Sequence, residues 1–235
     1  LPALTVDTNF EDNWIQQHSG LKTSSEPHLK IETIEEVEPL DTQFGVAAPK
    51  TVPDALYGAL FGQPEPKEIE RSEVAGEHET VRPVHTYAIL DAAKAPGLPE
   101  LLAASELEHR CLFKGDAYEE LKDVAPWIVC LNEGSSITRN LFTRSDAGWH
   151  MWDRQPGIYL RSHGTLDDMW RHFRKFTRVQ DENGGWFYWR FWEAEYLAPI
   201  LQAADPAMCR RFFMDGNVKS LHTIPAATRM VSLSL

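Results

Sequence analysis

Nine histidines and three cysteines are the first residues to weigh for chemistry, because imidazole and thiolate are common metal ligands and nucleophiles. Their spacing supports neither role. No His-x-x-x-His pair would place two rings on one helix face, and there is no Cys-x-x-Cys. His150 sits in Gly148-Trp149-His150-Met151-Trp152-Asp153, and His163 and His172 stand on either side of a predicted helix start. All three read as scattered surface or core histidines. Cys111 and Cys130 fall in apolar, strand-like runs, where a thiol packs rather than reacts. Gly-x-Ser-x-Gly and the glycine-rich phosphate loops are absent. The neighbouring carboxylates Glu119/Glu120 and Asp167/Asp168 read as helix-start or solvent-face residues. The sequence therefore predicts no catalytic residues, no metal and no cofactor, and the protein is expected not to be an enzyme.

One stretch does exceed the background in composition. Residues 161–192 hold Arg161, Arg171, Arg174, Lys175, Arg178 and Arg190 among Trp170, Phe173, Phe176 and the aromatic run from Trp186 to Trp192. Arginine and tryptophan are favoured anchors of protein interfaces, and aromatic rings beside cations also bind single-stranded nucleic acid. Alternation along Trp186–Trp192 predicts aromatic side chains on both faces of a strand, so each face needs a cover. The candidate partner-binding residues are Arg161, Arg174, Trp186, Trp189, Arg190 and Trp192.

The elements that must position these residues follow from patterning. Thr86–Leu90, Cys111–Phe113, Trp127–Leu131 and Gly157–Arg161 read as strands, the third apolar on both faces and so central. Pro99–Glu108, Tyr118–Val124 and a segment around Ile137–Phe142 read as helices. Thr165 and Asp168 predict a capping box, and Leu166, Met169, Trp170 and Phe173 form an apolar helical stripe over 165–176. Thr177–Gln180 and Trp186–Trp192 read as a long hairpin around the Asn183-Gly184 turn signal. Tyr196–Ala203 and a segment opened by Asp205-Pro206 and stopped near Gly216 read as closing helices; the tail from Leu221 is apolar but short of turn signals, and is not assigned to an element. The expected fold is mixed α/β (α+β): a small mixed sheet with a long aromatic hairpin and flanking helices.

Charge and composition divide the chain of 235 residues. The first 80 residues carry 16 acidic and 5 basic side chains, whereas residues 81–235 carry 19 and 18. Residues 1–84 accordingly read as an acidic, Pro-interrupted, largely irregular extension, and 85–235 as the folded domain. Within the extension, Leu29–Val37 could be a helical turn-and-a-half or a loose strand. Thr51–Gly62 predicts a short helix near 53–61, with Val52, Leu56 and Leu60 on one side. Residues 63–84 read as a linker. No apolar run is long enough to span a membrane, and the chain shows no basic-then-apolar leader. Three widely separated cysteines fit a reducing compartment. The net charge of −12 argues against nucleic acid as the main partner.

An ordered series of segments then becomes informative: Tyr87–Ala93, Cys111–Gly115, Leu121–Val129, Gly157–Ser162, Arg171–Phe176 and Tyr188–Trp192. The series resembles the type VI secretion effector chaperones, or Tap-type adaptors, a family first catalogued as a bacterial domain of unknown function. The likeness covers about residues 85–215. It implies a bacterial cytoplasmic, non-catalytic adaptor that binds a toxic effector protein and promotes its loading onto a VgrG or PAAR spike protein. Where that family usually continues Arg-Phe-Trp with Asp-Pro, this chain has Glu193-Ala194. The alternative reading is a nucleic-acid-binding module using 161–192.

Overall fold

A computed structural model describes residues 28–63, 83–180, 184–226 and 228–235, together with the backbone of Thr5–Val6. Of the predicted linker over 63–84, residues 64–82 lie outside the described residues, as do the turn residues Asp181–Asn183.

The strand His85–Asp91 shows how the interior is organised. Successive side chains point to opposite sides of a strand. Tyr87 and Ile89 enter one apolar core, and Ala88 and Leu90 enter a second. The same division recurs at Gly157–Ser162, where Ile158 and Leu160 face the first core and Tyr159 the second. A sheet with two apolar faces must be covered twice. Seven strands form it: β2 (Lys30–Ile34), β3 (His85–Asp91), β4 (His109–Cys111), β5 (Pro126–Leu131), β6 (Gly157–Ser162), β9 (Val218–Ala226) and β10 (Arg229–Ser234), in the order β2-β10-β9-β6-β3-β5-β4. Every named pairing in it is antiparallel.

One cover is built from α1 (Asp54–Phe61), α2 (Leu98–Ala103) and α4 (Ser136–Phe142), through Leu56, Leu60, Leu98, Leu102, Leu141 and Phe142. The opposite cover comprises α5 (Leu166–Phe173), α6 (Ala194–Ala203) and α7 (Pro206–Phe212), whose Phe173, Leu197, Leu201 and Phe212 are fully buried. Each such side chain contributes about 1.5–3 kcal/mol by leaving water. The remaining helix, α3 (Asp116–Leu121), buries no residue fully and lies near the β4 edge. Gly157 marks a close backbone approach within the sheet: a Cβ there would meet the Ile89 carbonyl oxygen at 1.9 Å.

A second, three-stranded sheet is separate. It contains β1 (Thr5–Val6), β7 (Arg178–Gln180) and β8 (Trp186–Tyr188), in the order β1-β7-β8 and antiparallel throughout.

The class is mixed α/β, as expected, with different internal proportions. The main sheet is neither small nor mixed, because the unplaced tail supplies β9 and β10 and Lys30–Ile34 pairs with β10. The strand β5 is buried on both faces, yet sits beside the edge strand β4 rather than at the centre. The hairpin is short. Its second strand ends at Tyr188, and Trp189–Trp192 continue as irregular chain and a turn into α6. Within Leu29–Val37 the segment Lys30–Ile34 forms a strand, and the helix expected near 53–61 lies at Asp54–Phe61 with Leu56 and Leu60 in the core.

Candidate partner-binding surface

The capping box forms: Thr165 Oγ1 accepts from the Asp168 backbone N–H at 3.2 Å, and an Asp168 carboxylate oxygen accepts from the Thr165 N–H at 3.0 Å. The Thr165 hydroxyl also donates to that carboxylate oxygen at 2.7 Å, and this bond, with the one from the Thr165 backbone N–H, holds the Asp168 carboxyl below its ordinary range. The cap fixes the start of α5 and thereby aims Met169, Trp170 and Phe173 at the sheet. Beyond it, Phe173, Phe176, Trp189, Phe191 and Phe212 form a packed ring cluster with centroid separations from 4.9 to 6.1 Å. Most of these pairs meet edge to face, the arrangement favoured by the ring quadrupole.

This cluster changes the reading of the six predicted contact residues. Trp189 and Trp192 are buried core residues, and their indole Nε1 atoms have no hydrogen-bond partner. Arg161 is buried as well. Its guanidinium donates to the Gly62 carbonyl at 2.6 Å and, at 3.4 Å, to those of Ala59 and Val84. It satisfies carbonyls left over at the end of α1 and so ties that helix to β6. The corrections have two causes: Trp189 and Trp192 follow the end of the ladder into the ring cluster, whereas Arg161 lies on the opposite side of the sheet, under the end of α1.

Arg190 is half-exposed but committed. It donates to Asp91 Oδ2 at 2.6 Å and to Glu193 Oε1 at 2.7 Å, while Lys94 reaches Glu193 Oε2 at 3.3 Å. Asp91 itself is 1% exposed, so Arg190 neutralises a buried carboxylate. The residues Glu193-Ala194, where the resemblance fails, therefore serve this network and the start of α6. Arg174 lies partly buried against Trp170, with its guanidinium carbon 4.6 Å from the ring centroid; its Nε is buried without a partner. Arg110 occupies the same ring at 3.4 Å and pairs with Asp167 at 2.9 Å.

Trp186 is the one predicted tryptophan that reaches solvent. It is 42% exposed, and its neighbours Phe187 and Tyr188 are 56% and 55% exposed. Sequence reasoning singled out Trp186 but passed over Phe187 and Tyr188, although all three belong to the run in which both faces are aromatic. Arg178 stacks over Trp186 at 5.0 Å, and Tyr188 contacts Phe113 at 5.5 Å. Phe113 in turn lines a surface groove of about 640 Å³ with Arg110, Lys114, Tyr118, Lys122 and Trp170. The exposed aromatics and the groove therefore form one continuous surface.

His172, His222, Cys111 and Cys130 are engaged in packing. Burial pushes the His172 imidazole down to about 4, and its Nε2–H donates to the Phe212 carbonyl at 2.9 Å. His222, buried between Ser220 and Ser232, is pushed down to about 3. His150 meets Ser145 at 2.5 Å. Burial raises the Cys111 and Cys130 thiols to about 11, well away from a reactive thiolate. Among the described residues no three His, Cys, Asp or Glu side chains converge as a metal site, and no helix is long and apolar enough to cross a membrane.

Comparison with curated proteins and with solved structures gave no match. A family model does match, over residues 86–211, which runs from β3 through most of α7 and includes both aromatic regions. That span exceeds half of the chain, and the protein belongs to the family defined by the domain of unknown function DUF4123.

Proposed function

We propose that the protein is a non-catalytic adaptor of a bacterial type VI secretion system. It binds a cognate toxic effector in the cytoplasm and promotes its loading onto a VgrG or PAAR spike protein. The observation that carries this reading is the family match over 86–211, since the DUF4123 family is generally associated with such adaptors. The surface is compatible with it. Three consecutive exposed aromatics are unusual for a finished monomer surface and common at protein interfaces.

The nucleic-acid reading loses support from the same geometry. Arg161 is internal, Arg190 is held by Asp91 and Glu193, and Arg171 pairs with Asp167 at 2.7 Å. Half of the six cations that suggested a phosphate-binding stripe are thus already occupied.

The test is affinity capture of the tagged full-length chain from its native lysate after nuclease treatment, with partners identified by mass spectrometry. The adaptor reading expects one large effector protein or a spike component. Recovery of nuclease-sensitive material alone, or of no partner, contradicts it.

A further inference from the structure

The hydrogen-bond phase of the hairpin decides which backbone groups of β8 face outward. The register pairs Arg178 with Tyr188, Val179 with Phe187 and Gln180 with Trp186. One residue further, the Trp189 N–H donates to the Thr177 carbonyl at 3.0 Å, which makes Thr177 and Trp189 a hydrogen-bonded pair. Such pairs alternate with non-hydrogen-bonded ones in an antiparallel ladder. Phe187 therefore turns its N–H and C=O inward to Val179. Trp186 and Tyr188 turn theirs away from β7, along the outer edge of the sheet. No strand pairs with that edge among the described residues.

Proteins normally blunt a free edge with lysine, proline, a bulge or a covering element. The strand Trp186-Phe187-Tyr188 carries none of the first three, and its side chains are exposed on both faces. An unpaired backbone rail between aromatic side chains is what an added β-strand needs: main-chain bonds for affinity and flanking rings for side-chain contact.

The surroundings specify the added strand's charge. Arg178 lies on Trp186, and Lys114 follows Phe113, the ring that meets Tyr188. Arg178, Lys114, Lys122 and Arg174 have no carboxylate within ion-pair distance among the described residues, and the Arg174 Nε is buried without a partner. Glu100 and Asp123 are the acids of the adjoining groove, set against Arg110, Lys114 and Lys122.

We infer that the outer edge of β8 receives an extended segment of the partner protein by β-strand addition, and that this segment alternates apolar with acidic side chains. Its carboxylates lie on the face of Trp186 and Tyr188, where they meet Arg178 and Lys114, while the alternate apolar side chains rest on Phe187 on the other face. The identity of the partner rests on the adaptor reading; the edge and its preference do not.

The probe is a fluorescein-labelled peptide, Glu-Val-Glu-Phe-Glu-Val-Glu-Phe, titrated with the full-length chain beside the same peptide with Lys for Glu. Trp186→Ala removes the ring but keeps the edge N–H. Trp186→Pro removes both, and its N–H is not used by β7. The proline variant is expected to bind the acidic peptide at least about tenfold more weakly than the alanine variant, with unchanged melting. Lys114→Glu should weaken the acidic peptide and favour the basic one, and it decides the matter if the proline variant does not fold. No binding of the acidic peptide, equal binding by the two Trp186 variants, or indifference to Lys114→Glu overturns the inference. Capture of an effector by both wild type and Trp186→Pro retains the adaptor reading and overturns the edge. Failure of wild type to capture one, with the peptide pattern intact, does the reverse.

Discussion

Trp186–Tyr188 and Trp189–Trp192 are consecutive in the chain, similar in composition and opposite in environment. The first three side chains are exposed, whereas Trp189, Phe191 and Trp192 are buried among Phe173, Phe176 and Phe212. The division falls where the β7–β8 ladder ends and the chain turns into α6. A hydrophobic run can thus serve two purposes: its second half closes a core, and its first half is left as a surface. Composition is blind to the difference, because the same rings that stabilise a fold when covered stabilise a complex when they are not.

Substitutions should separate the two halves. The largest effect is expected at Phe191→Ala, which empties the centre of the ring cluster and should cost about 3–5 kcal/mol in chemical denaturation. A loss below 1 kcal/mol would mean that the buried half is not a core.

Acid should weaken the same region. His172 touches Phe173 and Phe176 at 4.9 and 5.1 Å, and its folded-state value near 4 lies below the unfolded value of 6.5. Unfolding therefore takes up a proton between these values. Stability is full above about pH 6.5 and falls by about 3 kcal/mol on the way to pH 4. Replacing His172 by Gln, which can keep a hydrogen bond to the Phe212 carbonyl, should flatten that slope in denaturation curves taken across this range; an unchanged slope would place the titration elsewhere.

Arg190→Ala comes next, at about 2 kcal/mol, because the carboxylate of buried Asp91 loses its cation and keeps only the Ala93 N–H. A matching loss in Lys94→Ala would show that Glu193, not Asp91, is the main partner. The smallest effect is expected at Phe187→Ala, within about 0.5 kcal/mol by the same denaturation assay. A larger loss would show that this ring is covered by the chain itself.

Sequence patterning was strongest where a local rule acts alone. The Thr165–Asp168 capping box, the α5 stripe, the Asp205 cap of α7 and the short helix at Asp54–Phe61 are each set by residues within one or two turns. It was weakest where a distant partner decides. Lys30–Ile34 becomes a strand because β10 is available beside it; Lys30–Ile34 carries no clean alternation, and the alternation of Val231–Leu235 comes without a turn signal. Arg161 looks like a surface cation until α1 is seen to end above it. At the candidate surface, composition pointed to the region and to Trp186. It could not tell Trp189 and Trp192 from Phe187 and Tyr188, because their burial depends on where the ladder stops.

Amide hydrogen exchange of the full-length chain, alone and with its captured protein partner, tests most directly whether this surface binds that partner. In the free chain the Trp186 and Tyr188 amides should exchange fast and the Phe187 amide more slowly, as the ladder phase requires. Partner binding should slow Trp186 and Tyr188 and leave the buried cluster unchanged. Protection that appears elsewhere while these two amides stay fast would contradict the assignment of β8 as the docking edge.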